Sequence, residues 1–245
     1  MKKDLEIIIP CRLSAKRLPN KPLKKINNKE MILHVYENAI KASVGNVSIA
    51  TPDKQIHEFL INKGIKCFMT SNKHKNGTDR VYEVFSNYFK EEPNYIINLQ
   101  GDMPFINKEI LQSIASYLKK DNCDICTIAG KIDHTEINNK DIVKVETLAE
   151  ISKDNFSRAQ DFFRIRENAD VKKIYHHIGV YGFTKKAITK YINLKPTKSE
   201  VDRSLEQMRA LDNQMKIEVG YTNSIPLSVD TEADLDKITK LNTYE

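Results

Sequence analysis

A chain of 245 residues, 40% hydrophobic and 29% charged, is long enough to bury a full core and has an ordinary globular composition. It has no apolar run near the roughly 20 residues of a membrane span, and the apolar part of MKKDLEIIIP is too short for a secretory leader. A cytoplasmic protein without membrane partners is expected. The net charge of +6 comes from Lys and Arg interleaved with 33 acids, with no Arg-rich run and no aromatic–basic pattern. That points to small anionic ligands and away from nucleic acid.

In chain order, Leu5 to Pro10 (LEIIIP), apolar but for Glu6, runs straight into a breaker, as a fully buried parallel strand reads. The next loop carries Arg12, Lys16, Arg17 and Lys21 and no acid, punctuated by Ser14, Pro19 and Asn20. Basic loops are usually solvated surface. This one leaves the most hydrophobic strand of the first third, and α/β sheets hold ligands beyond the carboxyl ends of their strands. The prolines, and Asn20, which tolerates positive φ, predict a fixed path. A nucleoside triphosphate is the natural guest.

Glu30 to Lys41 then shows a helical stripe of Met31, Ile32, Val35, Tyr36, Ala39 and Ile40. Val47 to Ala50 reads as a strand, Asp53 to Lys63 as a helix stopped at Gly64, and Ile65 to Met69 as a third strand. This βαβαβ alternation predicts a parallel sheet with right-handed crossovers and a doubly wound nucleotide-binding core. The polar loop TSNKHKNGTDR leads into a helix carrying Val81, Val84 and Phe85, with Thr78 as its expected cap. Amides beside Gly77 suit close approach to a base edge; from the residues alone a simple capped loop reads equally well. Tyr95 to Leu99 forms the fourth strand and delivers Gln100, Gly101 and Asp102. A carboxylate there suits Mg²⁺, and Pro104 and Asn107 are better placed than Asp102 to start the next helix.

The second half alternates less regularly. Cys123 to Ile128 and Ile142 to Leu148 read as strands, and ISKDNFSRAQDFFRIRENAD as partly irregular. Of the four cysteines, Cys123 and Cys126 have metal or redox spacing but no second pair and no completing His, so core packing is expected. Cys11 abuts the basic loop, which would lower its thiol pKa, and is assigned no chemistry. Ile174 to Phe183 is a strand on which His176 and His177 point to opposite faces, one to a site and one to solvent. Glu200 to Asn213 reads as one helix with Val201, Leu205, Met208 and Leu211 on its buried face and Glu206 and Gln207 off it. Lys216 to Tyr221 is the last strand. Beyond it, Thr231 and Asp234 form a capping box that leaves Asp230 free for a metal.

IIIPCRLSAKRLPNKPL resembles the opening signature of sugar nucleotidyltransferases, and among them that of the CMP-Kdo synthetases, the 3-deoxy-manno-octulosonate cytidylyltransferases. NGTDR, NLQGDMPFI, YHHIGVYGF, SLEQMRAL and SVDTEADL are similar to that family's remaining motifs, in its order. The resemblance implies an α/β fold, a doubly wound and mostly parallel sheet of the nucleotide-diphospho-sugar transferase type. It adds a smaller α+β part for dimerisation and sugar binding. The whole forms one domain over 1–245: a nucleotide-binding half (1–130), a sugar-binding and dimerisation part (131–220) and a return to the core (221–245).

It further implies CMP transfer from CTP to the anomeric hydroxyl of the sugar acid Kdo, with pyrophosphate leaving and Mg²⁺ as cofactor, in a homodimer. Arg12, Arg17 and Lys21 would hold the phosphates, and Asp102 and Asp230 the metal. Pro10, Arg12, Ser14, Lys21, Ser71, Gly77, Thr78 and Gln100 would bind nucleotide. Arg158 would pair with the sugar carboxylate, with Gln100, His177, Tyr181, Glu206 and Gln207 around its hydroxyls. Two departures stand out: Met103 replaces the Glu of the family's GDEP, and the prolines after Phe156-Ser157-Arg158 are missing, leaving Arg164 or Arg166 as the later arginine. Met103 keeps an 8-amino analogue of Kdo open as acceptor. A CMP-sialate-type synthetase would lack the SLEQ helix. A catalytically inactive nucleotide-binding protein would bind CTP without releasing pyrophosphate, and an RNA-binding protein would show steep salt dependence.

Overall fold

The computed structural model describes residues 4–15, 17–89, 93–120, 123–153, 155–166 and 171–241. Lys16, one of the loop's expected cations, lies outside them, as do Asp154 and 167–170 of the segment expected to be irregular. The chain divides into two compact units, Met1–Gln112 with Pro226–Glu245, and Ser113–Ile225.

The first unit opens with β1 (Leu5–Pro10), every residue of it buried. A one-turn 3₁₀ helix (Lys21–Leu23) and a hairpin of β2 (Lys25–Ile26) and β3 (Lys29–Glu30) follow. Asn27 and Asn28 both sit at positive φ, as a tight two-residue hairpin turn requires. Then come α1 (Met31–Lys41), β4 (Asn46–Thr51), α2 (Lys54–Ile61), β5 (Cys67–Met69), α3 (Gly77–Tyr88), β6 (Tyr95–Asn98) and α4 (Lys108–Leu118), the last running past Gln112. The strand order is β5-β4-β1-β6, all parallel, so the expected βαβαβ sheet is present. Gly64 ends the α2 turn at φ 72°, as its place after the apolar stripe predicts. Asn76, not Thr78, caps α3: its side chain accepts from the Asp79 amide at 2.8 Å. Thr78 lies two residues past the cap position, inside the first turn, and cannot do so.

The second unit holds β7 (Ile125–Lys131), β8 (Lys144–Thr147), β9 (Ser157–Phe163), β10 (Ile174–Thr184), α5 (Lys185–Ile192), α6 (Lys198–Arg203), α7 (Gln207–Asp212) and β11 (Ile217–Thr222). Its pairings run from β10 to β7, β11, β9 and β8 and close back on β10. Only β7–β11 among them is parallel. The sheet structure is therefore mixed, not mostly parallel: β10 runs antiparallel to β7 and β8, and β9 antiparallel to β8 and β11. The helix expected over 200–213 is broken in two. Ser204 takes a left-handed conformation (φ 54°), which folds Arg209 back onto Glu200 at 2.8 Å and leaves Val201 exposed while Leu205 and Met208 are buried.

The chain then returns to the first unit with α8 (Glu232–Leu241), whose Leu235 and Ile238 pack with Leu18, Ile26, Met31 and Val229. Among the described residues no helix is long and apolar enough to cross a membrane. All four cysteines are free and buried, as core packing requires. Burial pushes the Cys11 thiol pKa up, the reverse of the expected lowering by its basic neighbours, and that of Cys67 up to about 12.

Candidate active site

The basic loop is pinned at both ends. Cys11 N donates to Ala50 O at 2.9 Å, and Asn20 N closes back onto Leu13 O at 3.0 Å. Asp53 precedes α2 but makes no side-chain cap; its carboxylate accepts from the Leu13 amide instead, at 2.8 Å. Asn20 adopts φ 57° as expected, and Pro22 fixes the first turn of the 3₁₀ helix that presents Lys21. The loop thus has one path, as its prolines and Asn20 predict.

Three distant segments meet beyond β1. Asp102 follows the carboxyl end of β6, and Asp230 sits just before α8. A backbone bond from Val229 N to Asp102 O (2.9 Å) holds their segments side by side. Thr231 and Asp234 cap α8 reciprocally, and the Asp230 carboxylate is left facing the basic loop. Asn107 takes the Glu109 amide at the start of α4, so Asp102 has no capping duty either. Lys21 Nζ reaches Asp102 Oδ2 at 3.0 Å and Asp230 Oδ1 at 3.1 Å, and Arg17 adds Asp230 Oδ2 at 2.9 Å. Burial pulls the Lys21 pKa down, but the two carboxylates more than offset it and the net shift is upward. The ammonium is charged at neutral pH.

Around this centre lies a pocket of about 360 Å³ lined by Pro10, Arg12, Arg17, Lys21, Gly77, Gln100, Asp102 and Asp230 among others. Gly77 is required for its shape: a Cβ there would stand 3.0 Å from both amide atoms of Gln100 and 3.2 Å from Pro10. Behind Gln100, Asn98 is fully buried; it accepts from Gln100 Nε2 at 2.9 Å and donates to Thr78 Oγ1 at 3.1 Å. Thr78 is therefore a buried support, not a lining residue. Ser14 is exposed on the loop outside the lining. Ser71 is also outside it, its amide held by Glu83 (2.9 Å) and its carbonyl by Arg80 (3.1 Å).

The sequence reading missed Arg80, Lys75, Asn76, Asp53, Glu83 and Asn98. Arg80 lines the pocket although almost wholly buried, and it also donates to Thr70. Burial pulls its pKa down, and Arg12 adds to that. The signal was present in NGTDR, where an Arg four residues into a helix beside a glycine loop has no apolar reason to point inward. Met103 is buried and not part of the lining.

Apart from Gln100, the expected sugar residues belong to the second unit. His177 is buried, and burial, reinforced by His176, holds its pKa down to about 3. Thr127 donates to Val180 O at 2.8 Å and so accepts from His177 Nε2 at 3.0 Å, which leaves Nδ1 as the ring's acceptor. Tyr181 packs beside it at 5.5 Å, with its phenol pKa raised by burial and then by Glu206. His176 does not face solvent as expected; it pairs with Glu136 at 3.2 Å. Gln207 is buried, and Glu206 precedes α7. Arg158 is exposed on β9, opposite Glu218 of β11. Neither later arginine is free for a ligand: Arg164 donates to Lys140 O and Asp141 O, and Arg166 pairs with Glu146 and Asp161.

Whether the first unit's carboxylates suit a divalent metal is answered by their donor set. Two hard carboxylates from separate segments already converge on one cation, the Lys21 ammonium, and Mg²⁺ takes one or two carboxylates plus phosphate and water oxygens. The residues fit.

A profile described as cytidylyltransferase matches residues 6–217. The 3-deoxy-manno-octulosonate cytidylyltransferase of Bartonella quintana (strain Toulouse) is 38% identical over 237 residues, covering 96% of this chain and 97% of that protein. The structure of a CMP:2-keto-3-deoxy-manno-octonic acid synthetase complexed with CTP superposes with a TM-score of 0.88 at 31% identity, covering 100% of this chain and 99% of that one. A UDP-glucose pyrophosphorylase complexed with UDP-glucose shares the fold at a TM-score of 0.72 and 14% identity, over 100% and 99% of the two chains.

Proposed function

Because the chain belongs to the cytidylyltransferase family, we propose that it transfers CMP from CTP to the anomeric hydroxyl of 3-deoxy-D-manno-octulosonate, releasing pyrophosphate. The observation that carries this reading is the convergence of Arg17, Lys21, Asp102 and Asp230 in one pocket with Arg12, at the carboxyl ends of parallel strands. The reversal of strand order at β1 supports a doubly wound nucleotide-binding half.

Displacement at phosphorus requires positioning and charge neutralisation more than covalent help. Arg12, Arg17 and Lys21 hold the β and γ phosphates and the leaving pyrophosphate. Pro10, Gly77 and Gln100 shape the nucleotide side of the pocket; Thr78 supports Gln100 through Asn98, and Ser14 and Ser71 would meet the nucleotide from outside the lining. Asp102 and Asp230 would hold Mg²⁺, which when bound neutralises phosphate charge and makes the attacking hydroxyl more acidic. Arg158 pairs with the sugar carboxylate, and His177, Tyr181, Glu206 and Gln207 serve its hydroxyls. His177 meets them as a neutral ring, since its burial disfavours the cation.

In this reading residues 1–130 serve the nucleotide, 131–220 the sugar and the contact of a homodimer, and 221–245 return to the core. The enzyme works in the cytoplasm and supplies CMP-Kdo to lipopolysaccharide or capsule synthesis. The test is pyrophosphate release with each of the four nucleotides against Kdo, its 8-amino analogue and sialic acid. Release with CTP and Kdo is expected. Preference for the 8-amino sugar would reassign the acceptor, and CTP binding without release with any acid would overturn the enzymatic reading.

A further inference from the structure

The Lys21 ammonium stands where the two site carboxylates converge, 3.0 Å from one and 3.1 Å from the other. We propose that Lys21 is a positioning residue for Asp102 and Asp230. It holds them together as a resident counter-cation and releases them to a divalent metal when a triphosphate draws its ammonium away. The inference rests on the reading of Asp102 and Asp230 as metal carboxylates.

Two carboxylates brought this close repel one another unless a cation lies between them. Val229 N on Asp102 O fixes the backbones but does nothing for that repulsion. Lys21 does, and it is the side chain that bridges both: Arg17 touches Asp230 alone and is largely exposed, with 61% of its side chain open. The ammonium and a divalent metal therefore compete for the same oxygens. The phosphate oxygens of a nucleotide compete in turn for the ammonium. The chemistry also favours Lys over Arg here. A compact charge on a four-carbon stem pivots from a carboxylate pair to a phosphate, whereas a planar fork is locked to one bidentate partner. Nucleotide and metal binding are then coupled through one side chain, over and above any chelation of metal by the nucleotide itself.

The test is the affinity of the full chain for Mn²⁺ without nucleotide, from the EPR signal of the free ion, in wild type and in Lys21→Met, Lys21→Gln, Lys21→Arg and Lys24→Met. Lys24 pairs with Glu232 and lies in the same segment, so its variant controls for the loss of one positive charge. Lys21→Met and Lys21→Gln should each bind Mn²⁺ about tenfold more tightly than wild type. Lys24→Met and Lys21→Arg should stay near the wild-type value. Adding Asp102→Asn to Lys21→Met should erase the gain. A damaged fold lowers metal affinity, so a gain has no trivial structural origin. Mn²⁺ affinity no higher than wild type in both Lys21→Met and Lys21→Gln would overturn the inference while leaving the metal reading intact. If Asp102→Asn and Asp230→Asn bind Mn²⁺ with CTP as well as wild type does, the metal reading fails and the inference with it.

Discussion

The two units contain the same kinds of charged residue and use them in opposite ways. In the first, cations and acids from separate segments meet in an open pocket and share one another as partners, as with Lys21 between Asp102 and Asp230. In the second, charges are closed off by the fold. Arg209 lies bidentate on Glu200 with both side chains nearly buried, and Arg166 is shared between Glu146 and Asp161. Lys144 donates to the carbonyls of Asn139, Ile142 and Arg164 with no exposed surface. A parallel sheet ends its strands in loops on one side, where polar groups gather around a ligand. Strands that pair round on themselves instead surround their polar groups with backbone acceptors.

The contrast can be broken most severely at Asp230. Asp230→Ala should lower turnover about 10³-fold while leaving the fold intact; pyrophosphate release beside near-UV circular dichroism measures both, and full activity would refute the role of Asp230. In the second unit the damage should be to stability. Arg209→Ala strands the Glu200 carboxylate in a nearly dry setting and should cost about 3–5 kcal/mol in urea denaturation, with much of that recovered when Glu200→Gln is added.

His177 gives the second unit a pH signature. Its folded pKa, about 3, lies below the ordinary value of 6.5, so the unfolded chain takes up its proton first as pH falls. Stability should drop by up to about 1.4 kcal/mol per pH unit between pH 6.5 and 3 and hold above that window. His177→Gln should flatten this part of the profile; an unchanged slope would show that the ring is accessible to protons in the fold. The smallest effect belongs to the first unit. Gly77→Ala pushes a methyl against the Gln100 amide and should raise the KM for CTP about tenfold at nearly unchanged Tm, because the pocket yields more readily than the core.

The first unit was largely legible in the amino-acid order, because its signals are local. LEIIIP, the stripes of α1 and α2, Gly64 and Asn20 each carry their own conformational reason. So do the motifs that place Arg12, Gln100 and Asp102 just beyond strand ends and Lys21 on the loop that follows β1. The second unit was less so. Period and propensity suggested one helix over 200–213, whereas a left-handed Ser204 breaks it and brings Arg209 onto Glu200 nine residues back. The antiparallel pairing of β8, β9 and β10 had no parallel or antiparallel signal in the residues of those strands. Supporting residues such as Asn98 and Asp53 escaped notice because their task is to hold another side chain or a backbone amide, and nothing in their own surroundings marks it.

By itself the order of residues determined which segments become buried strands and which loop concentrates positive charge, since both follow from neighbours within a few positions. Only tertiary structure decided that Asp102 and Asp230, 128 positions apart by their numbers (230 − 102), share one lysine. It also decided that His177 is neutral and enclosed, and that Cys11 is a core thiol. Those outcomes depend on long-range backbone bonds such as Val229 to Asp102 and on burial, and neither can be read from a residue's neighbours in the chain.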